Sequence, residues 1–172
     1  MKNNPGAKKE IAVFVIAEKD YSRRLKEMVC AASSAYSRIC FVSLNKPYNT
    51  ISSSFEGCKA EMKKFFFIDC TGKSKESEGQ VVFVSSPKAL TEMSITIGKV
   101  LDLGKIDAVI FDSLSTLLFY EEPSTVIKFT HSLISLLRYR KAAGMLLCLE
   151  GGKNTDLVKD ISMFADKVVG GK

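Results

Sequence analysis

A Gly-Lys-Ser triplet at residues 72–74 follows an apolar run in the segment FIDCTGKS, which is how a nucleotide phosphate loop ends. The full pattern, GxxxxGK(S/T), has an earlier glycine that lets successive backbone N–H groups curl around the phosphates, and a helix that begins at the lysine. Phe67 occupies the place of the earlier glycine, and the charged segment KESEGQ follows where the helix should begin. We therefore interpret the triplet as part of a loop between two strands.

Polar residues follow several other apolar runs, where they could bind a ligand. Asp112 and Ser113 come directly after one run, Asn45 and Lys46 after another, and Glu150 at the end of a third. A carboxylate is the kind of oxygen ligand that Mg²⁺ binds, and amide, hydroxyl and ammonium groups can contact polar ligands. The alternative is structural, because such groups at the start of a loop often satisfy backbone atoms, and residues 45–49 also fit an ordinary Asn/Pro turn.

Seven short apolar runs are predicted to be the strands that position these residues. They span residues 11–17, 39–44, 65–69, 81–84, 107–112, 145–150 and 167–169. Continuous apolar runs rich in β-branched residues are typical of strands that are covered on both faces.

Helices are predicted between these strands from apolar residues at helical spacing. The first follows Asp20, which can cap it, and a weaker candidate covers residues 52–62. A third has Ser86 at its N-cap and Pro87 in its first turn, and a long one begins at Pro123 and ends at Gly144. The last covers residues 155–164.

The alternation of strands and helices indicates the α/β class, with a three-layer α/β/α sandwich around a mostly parallel central sheet. In open sheets of this class, ligands bind beyond the carboxyl ends of the strands. Asp112, Asn45 and Glu150 all stand at such ends. No linker or internal repeat interrupts the pattern, so residues 1–172 are predicted to form one domain with a flexible tail at residues 1–10.

The composition limits the other classes of function. Five cysteines without a CxxC pair, together with His131 as the single histidine, support neither a zinc site nor a disulfide framework. No apolar run approaches the ~20 residues that span a bilayer. The charged N-terminus also lacks the apolar stretch of a signal peptide, so we expect a cytoplasmic protein without membrane contact. The net charge of +6 is compatible with nucleic acid, but the basic residues are scattered in small groups that are typical of solvated faces.

The segment AVIFDSLSTLL at residues 108–118 resembles the Walker B strand of the KaiC-like branch of the RecA-superfamily ATPases, whose pattern is four apolar residues, Asp, Ser and an apolar-rich turn. The resemblance extends over residues 11–169, through a long helix with a Pro-containing start, an apolar strand that ends in Glu150, and DKVV near the C-terminus. It implies a RecA-like fold. It also implies that Asp112, with Ser113 beside it, helps to hold the Mg²⁺ that bridges the nucleotide phosphates.

The chain departs from this family at two places. The family's phosphate loop joins the first strand to the first helix, but residues 18–23 contain no glycine, and Glu18 and Asp20 would repel a triphosphate. The family's pair of glutamates at the end of the second strand activates the attacking water. Asn45 and Lys46 stand in those places in the segment FVSLNK, and neither can act as a carboxylate base.

The resemblance and the departures together predict a non-hydrolysing pseudo-ATPase, a regulatory or protein-binding module for which no cofactor is expected. One alternative is an active ATPase that binds ATP and Mg²⁺ in an atypical site built from Asp112, Glu150 and either Lys19 or Lys73. Another alternative is a DNA-associated, recombinase-like module, whose binding would weaken steeply with salt.

Family members often assemble side by side. The resemblance therefore implies a homo-oligomer, or a hetero-oligomer with a related ATPase or signalling protein. Phe119, Tyr120 and the apolar members of residues 114–118 could form an exposed patch for such a partner. Burial within the layers of the fold would explain the same apolar residues equally well.

Overall fold

A computed structural model of the chain describes residues 9–56, 60–72 and 80–171. The seven predicted strands are all present, with ends that differ by no more than two residues from the predicted ones. They are β1 (Ile11–Ile16), β2 (Ile39–Ser43), β3 (Phe65–Asp69), β4 (Val81–Phe83), β5 (Ala108–Asp112), β6 (Ala143–Leu149) and β7 (Lys167–Gly170). The Gly-Lys-Ser triplet lies between β3 and β4, but its Lys73 and Ser74 are outside the described residues.

The strands form one sheet in the order β4-β3-β2-β5-β6-β1-β7, and the strand pairs are parallel. β5 lies at the centre between β2 and β6, and each of its five residues is buried. This burial is the reason why its sequence is apolar at consecutive positions and not at alternate ones. The predicted α/β fold with a parallel sheet is confirmed, and the parallel pairing brings the carboxyl ends of all seven strands to one edge.

Six α-helices pack on the sheet. They are α1 (Tyr21–Ala35), α2 (Tyr48–Ser54), α3 (Leu90–Gly104), α4 (Leu114–Leu117), α5 (Pro123–Tyr139) and α6 (Lys153–Ile161). Two buried clusters show how they are divided between the faces. Apolar residues of α1 and α2 join one cluster with Phe41 and Ile110, and apolar residues of the other four helices join the second cluster with Val42 and Phe111. Because neighbouring residues of a strand point to opposite faces, the sheet is the middle layer of three.

The start of α3 and the end of α5 were predicted wrongly. α3 begins at Leu90 with Ala89 at its N-cap, so Ser86 and Pro87 lie in the turn before it and not in its first turn. α5 begins at Pro123 as predicted, but it ends at Tyr139. Gly144 is the second residue of β6, where an added Cβ atom would lie 2.9 Å from Leu137 Cδ1. The glycine is therefore explained by close packing of α5 on the sheet and not by a helix end.

The segment after β2 also differs from the prediction. A helix was predicted at residues 52–62, but α2 covers Tyr48–Ser54 and a separate 3₁₀ turn covers Met62–Lys64. The short helix α4, which follows Asp112 almost directly, was not predicted because its four residues continue the apolar run of the preceding strand. Its residues Leu114 and Leu117 are fully buried. For these two residues the structure therefore supports burial within the fold, and not the alternative of an exposed patch.

Among the helices that the structure describes, none is both long enough and apolar enough to cross a membrane.

Candidate functional site

Three polar residues stand in a row at the carboxyl edge of the sheet. Ser43 ends β2, and it lies opposite Asp69 of β3 on one side and opposite Asp112 of β5 on the other. All three residues are buried. The alternation along each strand turns them to the same face as Phe41 and Ile110, which is the face that α1 and α2 cover. The first turns of these two helices therefore decide what surrounds the two carboxylates.

Asp112 is held by a tyrosine. The hydroxyl of Tyr21 donates a hydrogen bond to Asp112 Oδ1, and the other oxygen, Oδ2, is buried and has no hydrogen-bond partner among the described residues. The residue is completely buried. Burial raises the pKa of Asp112 from its ordinary value near 3.8 to about 6, while the Tyr21 hydrogen bond and the positive charge of Lys46 act in the opposite direction. The carboxylate is thus held in a place where its charge is costly.

Tyr21 reaches Asp112 because it is the first residue of α1. β1 ends at Ile16, and after Ala17 a single 3₁₀ turn over Glu18–Asp20 leads directly into the helix. The pKa of Tyr21 is raised above its ordinary value, first by burial and then by the charge of Asp112. The hydroxyl therefore remains protonated and acts as the donor to Asp112.

Asp20 occupies the N-cap position of α1, as predicted, but its side chain makes no capping hydrogen bond. Its carboxylate accepts a hydrogen bond of 2.8 Å from Arg23 instead.

A chain of hydroxyl groups continues from Asp112 into α4. Ser113 is buried, and its Oγ lies 3.0 Å from Thr116 Oγ1. Thr116 Oγ1 in turn donates a hydrogen bond of 2.7 Å to Asn45 Oδ1. Asn45 follows β2, so this contact joins the ends of β2 and β5. The structure thus joins two of the predicted site residues, Ser113 and Asn45, through Thr116, which was not predicted as a site residue.

A second hydroxyl fixes α4 to the neighbouring strand. Ser115 Oγ accepts a hydrogen bond of 2.7 Å from the Leu149 backbone N–H and lies 3.3 Å from Cys148 Sγ, to which it can donate. Ser115 therefore has the structural role that was the alternative for hydroxyl groups at this position.

The other predicted site residues have different fates. Lys46 is half-buried, its backbone carbonyl accepts a hydrogen bond of 2.6 Å from Ser43 Oγ, and its positive charge acts on Asp112. Glu150 is exposed beyond β6, where it lines a groove with residues of α6 and β7. Lys19 is exposed in the turn before α1. Lys73 is outside the described residues. His131 is exposed on α5, where its ring lies 4.5 Å from that of Phe164, so it is a helix-surface residue as expected.

Asp69, by contrast, is a fully partnered carboxylate. One oxygen accepts the Tyr48 backbone N–H at 2.8 Å, and the other accepts both the backbone N–H and the hydroxyl of Thr71 at 2.9 Å and 2.7 Å. It therefore anchors the first turn of α2 and the turn that follows β3. Asp69 is the last residue of β3 and Asp112 the last residue of β5. Within the described residues, Asp112 has a carboxylate oxygen without a hydrogen-bond partner and Asp69 does not.

Magnesium, which the resemblance implies, does not fit this arrangement. Mg²⁺ requires near-octahedral coordination and usually keeps several waters. Asp112 is completely buried, one of its oxygens is occupied by the Tyr21 hydroxyl, and the nearby Lys46 carries a positive charge. Within residues 9–56, 60–72 and 80–171, no group of three or more His, Cys, Asp or Glu side chains could hold a metal ion.

Comparison with known proteins agrees with this fold. The model of DUF7504, described as a family of unknown function, matches residues 13–170. No match is found among curated proteins. The fold is similar to the crystal structure of a KaiC-like protein from the hyperthermophilic archaeon Pyrococcus horikoshii OT3, with a TM-score of 0.68 and 12% sequence identity. The similarity covers 94% of this chain and 70% of the archaeal one. The sheet and its helices thus form a KaiC-like α/β fold.

Proposed function

We propose that this chain, which belongs to DUF7504, a family of unknown function, is a non-hydrolysing KaiC-like domain that regulates or binds another protein. The observation that carries this proposal is the hydrogen bond from the Tyr21 hydroxyl to Asp112. In the KaiC-like enzymes, the aspartate at this strand end helps to hold the Mg²⁺ of a bound nucleotide. In this chain the Tyr21 hydroxyl donates a hydrogen bond to that aspartate, Asp112, which is completely buried.

The connection between β1 and α1 also supports the absence of a phosphate cradle. A cradle needs several backbone N–H groups that point inward around the phosphates, and such a turn commonly uses glycine because glycine adopts positive φ. Here a 3₁₀ turn of three residues joins the strand to the helix, and Ala17 has an ordinary φ of −64°. The carboxylates of Glu18 and Asp20 in the same turn would repel a triphosphate.

The residues in place of the catalytic glutamates are engaged in other contacts. Asn45 accepts the hydrogen bond from Thr116, and Lys46 supplies a positive charge that acts on Asp112. An amide and an ammonium group cannot take a proton from an attacking water as a carboxylate does. Among the described residues, the first connection therefore offers no phosphate cradle and the end of β2 offers no carboxylate base.

An exposed aromatic residue at the same edge supports a protein partner. Phe119 follows α4 directly and is 84% exposed, and Tyr120 beside it is also exposed. Large aromatic side chains are enriched in protein interfaces because they bury much apolar area with little loss of conformational freedom. α4 connects this pair to the buried cluster through Thr116. A partner that contacts Phe119 would thus lie next to α4, on the face of the sheet that α3 and α5 cover.

The atypical ATPase is less well supported. It requires Asp112 to contact a metal or a phosphate, but no part of this side chain is accessible. Of the two lysines named for it, Lys19 is exposed in the turn before α1 and Lys73 lies outside the described residues. Glu150 is exposed in a groove at another part of the sheet.

The first test is calorimetric titration of the purified chain with ATP and with ADP, each with and without Mg²⁺, together with thermal unfolding at the same nucleotide concentrations. We expect no heat and no stabilisation up to millimolar nucleotide, since a ligand that binds only the folded state must stabilise it. Magnesium-dependent hydrolysis that disappears in an Asp112→Ala variant would refute the proposal.

The second test concerns the partner surface, and it uses two matched variants. Phe119→Ser and Leu103→Ser each remove an exposed apolar side chain, at 84% and 85% exposure, but Leu103 lies near the end of α3 at the opposite edge of the sheet. Proteins captured from an extract by the wild-type chain should be retained by Leu103→Ser and lost by Phe119→Ser. Equal capture by both variants would place the partner surface elsewhere.

A further inference from the structure

The outer edge of the sheet is formed by β7, Lys167–Gly170, which pairs with β1 on its inner side. All four of its residues are exposed. Val168 and Val169 point to opposite faces of the sheet, and both have substantial exposed area. An edge strand with apolar side chains on both faces is a template for pairing with another strand.

The direction of the free backbone groups follows from the register of β7 on β1. The Gly144 N–H donates to the Glu10 carbonyl and the Glu150 N–H to the Ile16 carbonyl, so the even-numbered residues of β1 face β6 and the odd-numbered ones face β7. Val13 lies opposite Val168, so its backbone groups bond to Lys167 and Val169, the residues on either side of Val168. The N–H and C=O groups of Val168 therefore point away from the sheet. They are the groups that an added strand would use.

A groove lies beside β7 on each face of the sheet. The groove on the α1 side has a volume of about 340 Å³, and Val169, Met28 and Phe14 are among its lining residues. The groove on the α6 side has a volume of about 320 Å³, and its lining includes Val168 and Val158. The side chains of a strand alternate between the two faces, so one added strand can place apolar groups into both grooves.

The charges at this edge are balanced, although the whole chain carries +6. Lys167 forms an ion pair of 2.7 Å with Glu10 at the start of the strand, and Arg24 forms one of 3.3 Å with Glu27 beside the α1 groove. The α6 groove is lined by one acidic residue, Glu150, and one basic residue, Lys159. Two copies can therefore approach through this edge without the repulsion that their net charges would cause elsewhere.

We propose that β7 pairs in antiparallel orientation with β7 of a second copy, so that the two sheets join into one. A twofold axis normal to the sheet keeps α1 of both copies on the same side, and it allows only residues that face the same side to lie opposite each other. When the axis passes beside Val168, the two copies of Val168 lie opposite each other and exchange their outward backbone hydrogen bonds. Lys167 then lies opposite Val169 of the partner, and no lysine lies opposite a lysine.

The first experiment measures the self-association of the full chain by sedimentation equilibrium, with Val168→Pro and Val168→Thr as a matched pair. Proline removes the outward N–H of residue 168 and leaves the hydrogen bonds to β1 intact, as edge strands permit. Threonine keeps this N–H and nearly the same shape. The wild type and Val168→Thr should dimerise, and Val168→Pro should dissociate at least about tenfold more readily, since each dimer loses this donor twice.

The second experiment does not depend on how the chain tolerates proline. Val168→Cys places a cysteine opposite its own copy in a pair that is close enough for a disulfide, because opposed residues that exchange their hydrogen bonds have Cα atoms about 5.5 Å apart, a distance that a disulfide spans. Val82→Cys is the control, since Val82 is 45% exposed, against 38% for Val168, on the strand β4 at the other edge. Under oxidised glutathione, Val168→Cys should form covalent dimers in excess of both the wild type and Val82→Cys.

Three results would overturn the proposal. They are a wild-type chain that remains monomeric at all concentrations, a dimer that Val168→Pro leaves unchanged, and equal cross-linking of the two cysteine variants. A dimer with the last two properties would place the contact on another surface. A failure of the proposed pseudo-ATPase role would not affect these measurements, because the β7 edge and the Asp112 cluster share no residue.

Discussion

Replacement of Asp112 by asparagine should stabilise the protein at neutral pH. Asparagine has nearly the same shape, and its side-chain oxygen can still accept the hydrogen bond from the Tyr21 hydroxyl. It carries no charge, so it avoids the cost of holding a carboxylate in a completely buried position. The expected gain depends on pH, because only the ionised form of Asp112 pays this cost.

The size of the effect follows from the pKa of Asp112, which burial raises from about 3.8 to about 6. Between these two values the folded protein holds a proton that the unfolded chain has lost. The free energy of unfolding of the wild type therefore falls as the pH rises from about 4 to about 6. A difference of about 2 pH units corresponds to about 3 kcal/mol. The Asp112→Asn variant lacks this loss.

Urea unfolding of both proteins between about pH 4 and pH 8 measures this difference, provided that the slope of the unfolding free energy against urea is the same in both. The stability of the variant relative to the wild type should rise by about 3 kcal/mol from pH 4 to pH 7 and then stay level. Other titrating groups contribute equally to the two proteins and cancel. A relative stability that is independent of pH, or that falls as pH rises, would show that the pKa of Asp112 is not raised in the folded state.

Two further substitutions test neighbouring contacts. Tyr21→Phe removes the one hydrogen-bond donor that the described residues place on the Asp112 carboxylate. It should therefore lower the free energy of unfolding by about 1.5–3 kcal/mol at pH 7 and by less near pH 4, as measured by urea unfolding at both pH values. Gly144→Ala should lower it by about 1–3 kcal/mol at any pH, because the new methyl group would lie 2.9 Å from the buried Leu137 side chain; a neutral result in thermal and urea unfolding would show that α5 can shift away from the sheet.

The strands were predictable because their physical cause is local. A buried parallel strand is apolar at consecutive positions, and the runs that became β2, β3 and β5 are apolar because helices cover both faces of the sheet. The helix ends were less predictable. Gly144 looks like a helix C-terminus in the sequence, but its lack of a side chain serves the contact between Leu137 and the sheet, and that contact depends on tertiary packing.

The candidate site was predictable only in part. Asp112, Ser113 and Asn45 were predicted from their place at strand ends, and the structure joins Ser113 and Asn45 through Thr116. Tyr21 was not predicted because the family pattern calls for glycines in the first connection, and no local pattern pairs a tyrosine with an aspartate 91 residues away in the chain. One available signal was its position, since the first residue of the first helix lies above the carboxyl ends of the central strands.

The contrast between Asp69 and Asp112 separates the two buried carboxylates of this edge. Both aspartates end buried strands, but among the described residues Asp69 accepts three hydrogen bonds that hold neighbouring turns, whereas Asp112 accepts one from Tyr21 and its Oδ2 accepts none. A carboxylate that only closed a strand end would gain by having partners like those of Asp69. The charge of Asp112 is compensated only in part by the Tyr21 hydroxyl and the positive charge of Lys46, so its burial is costly to the fold.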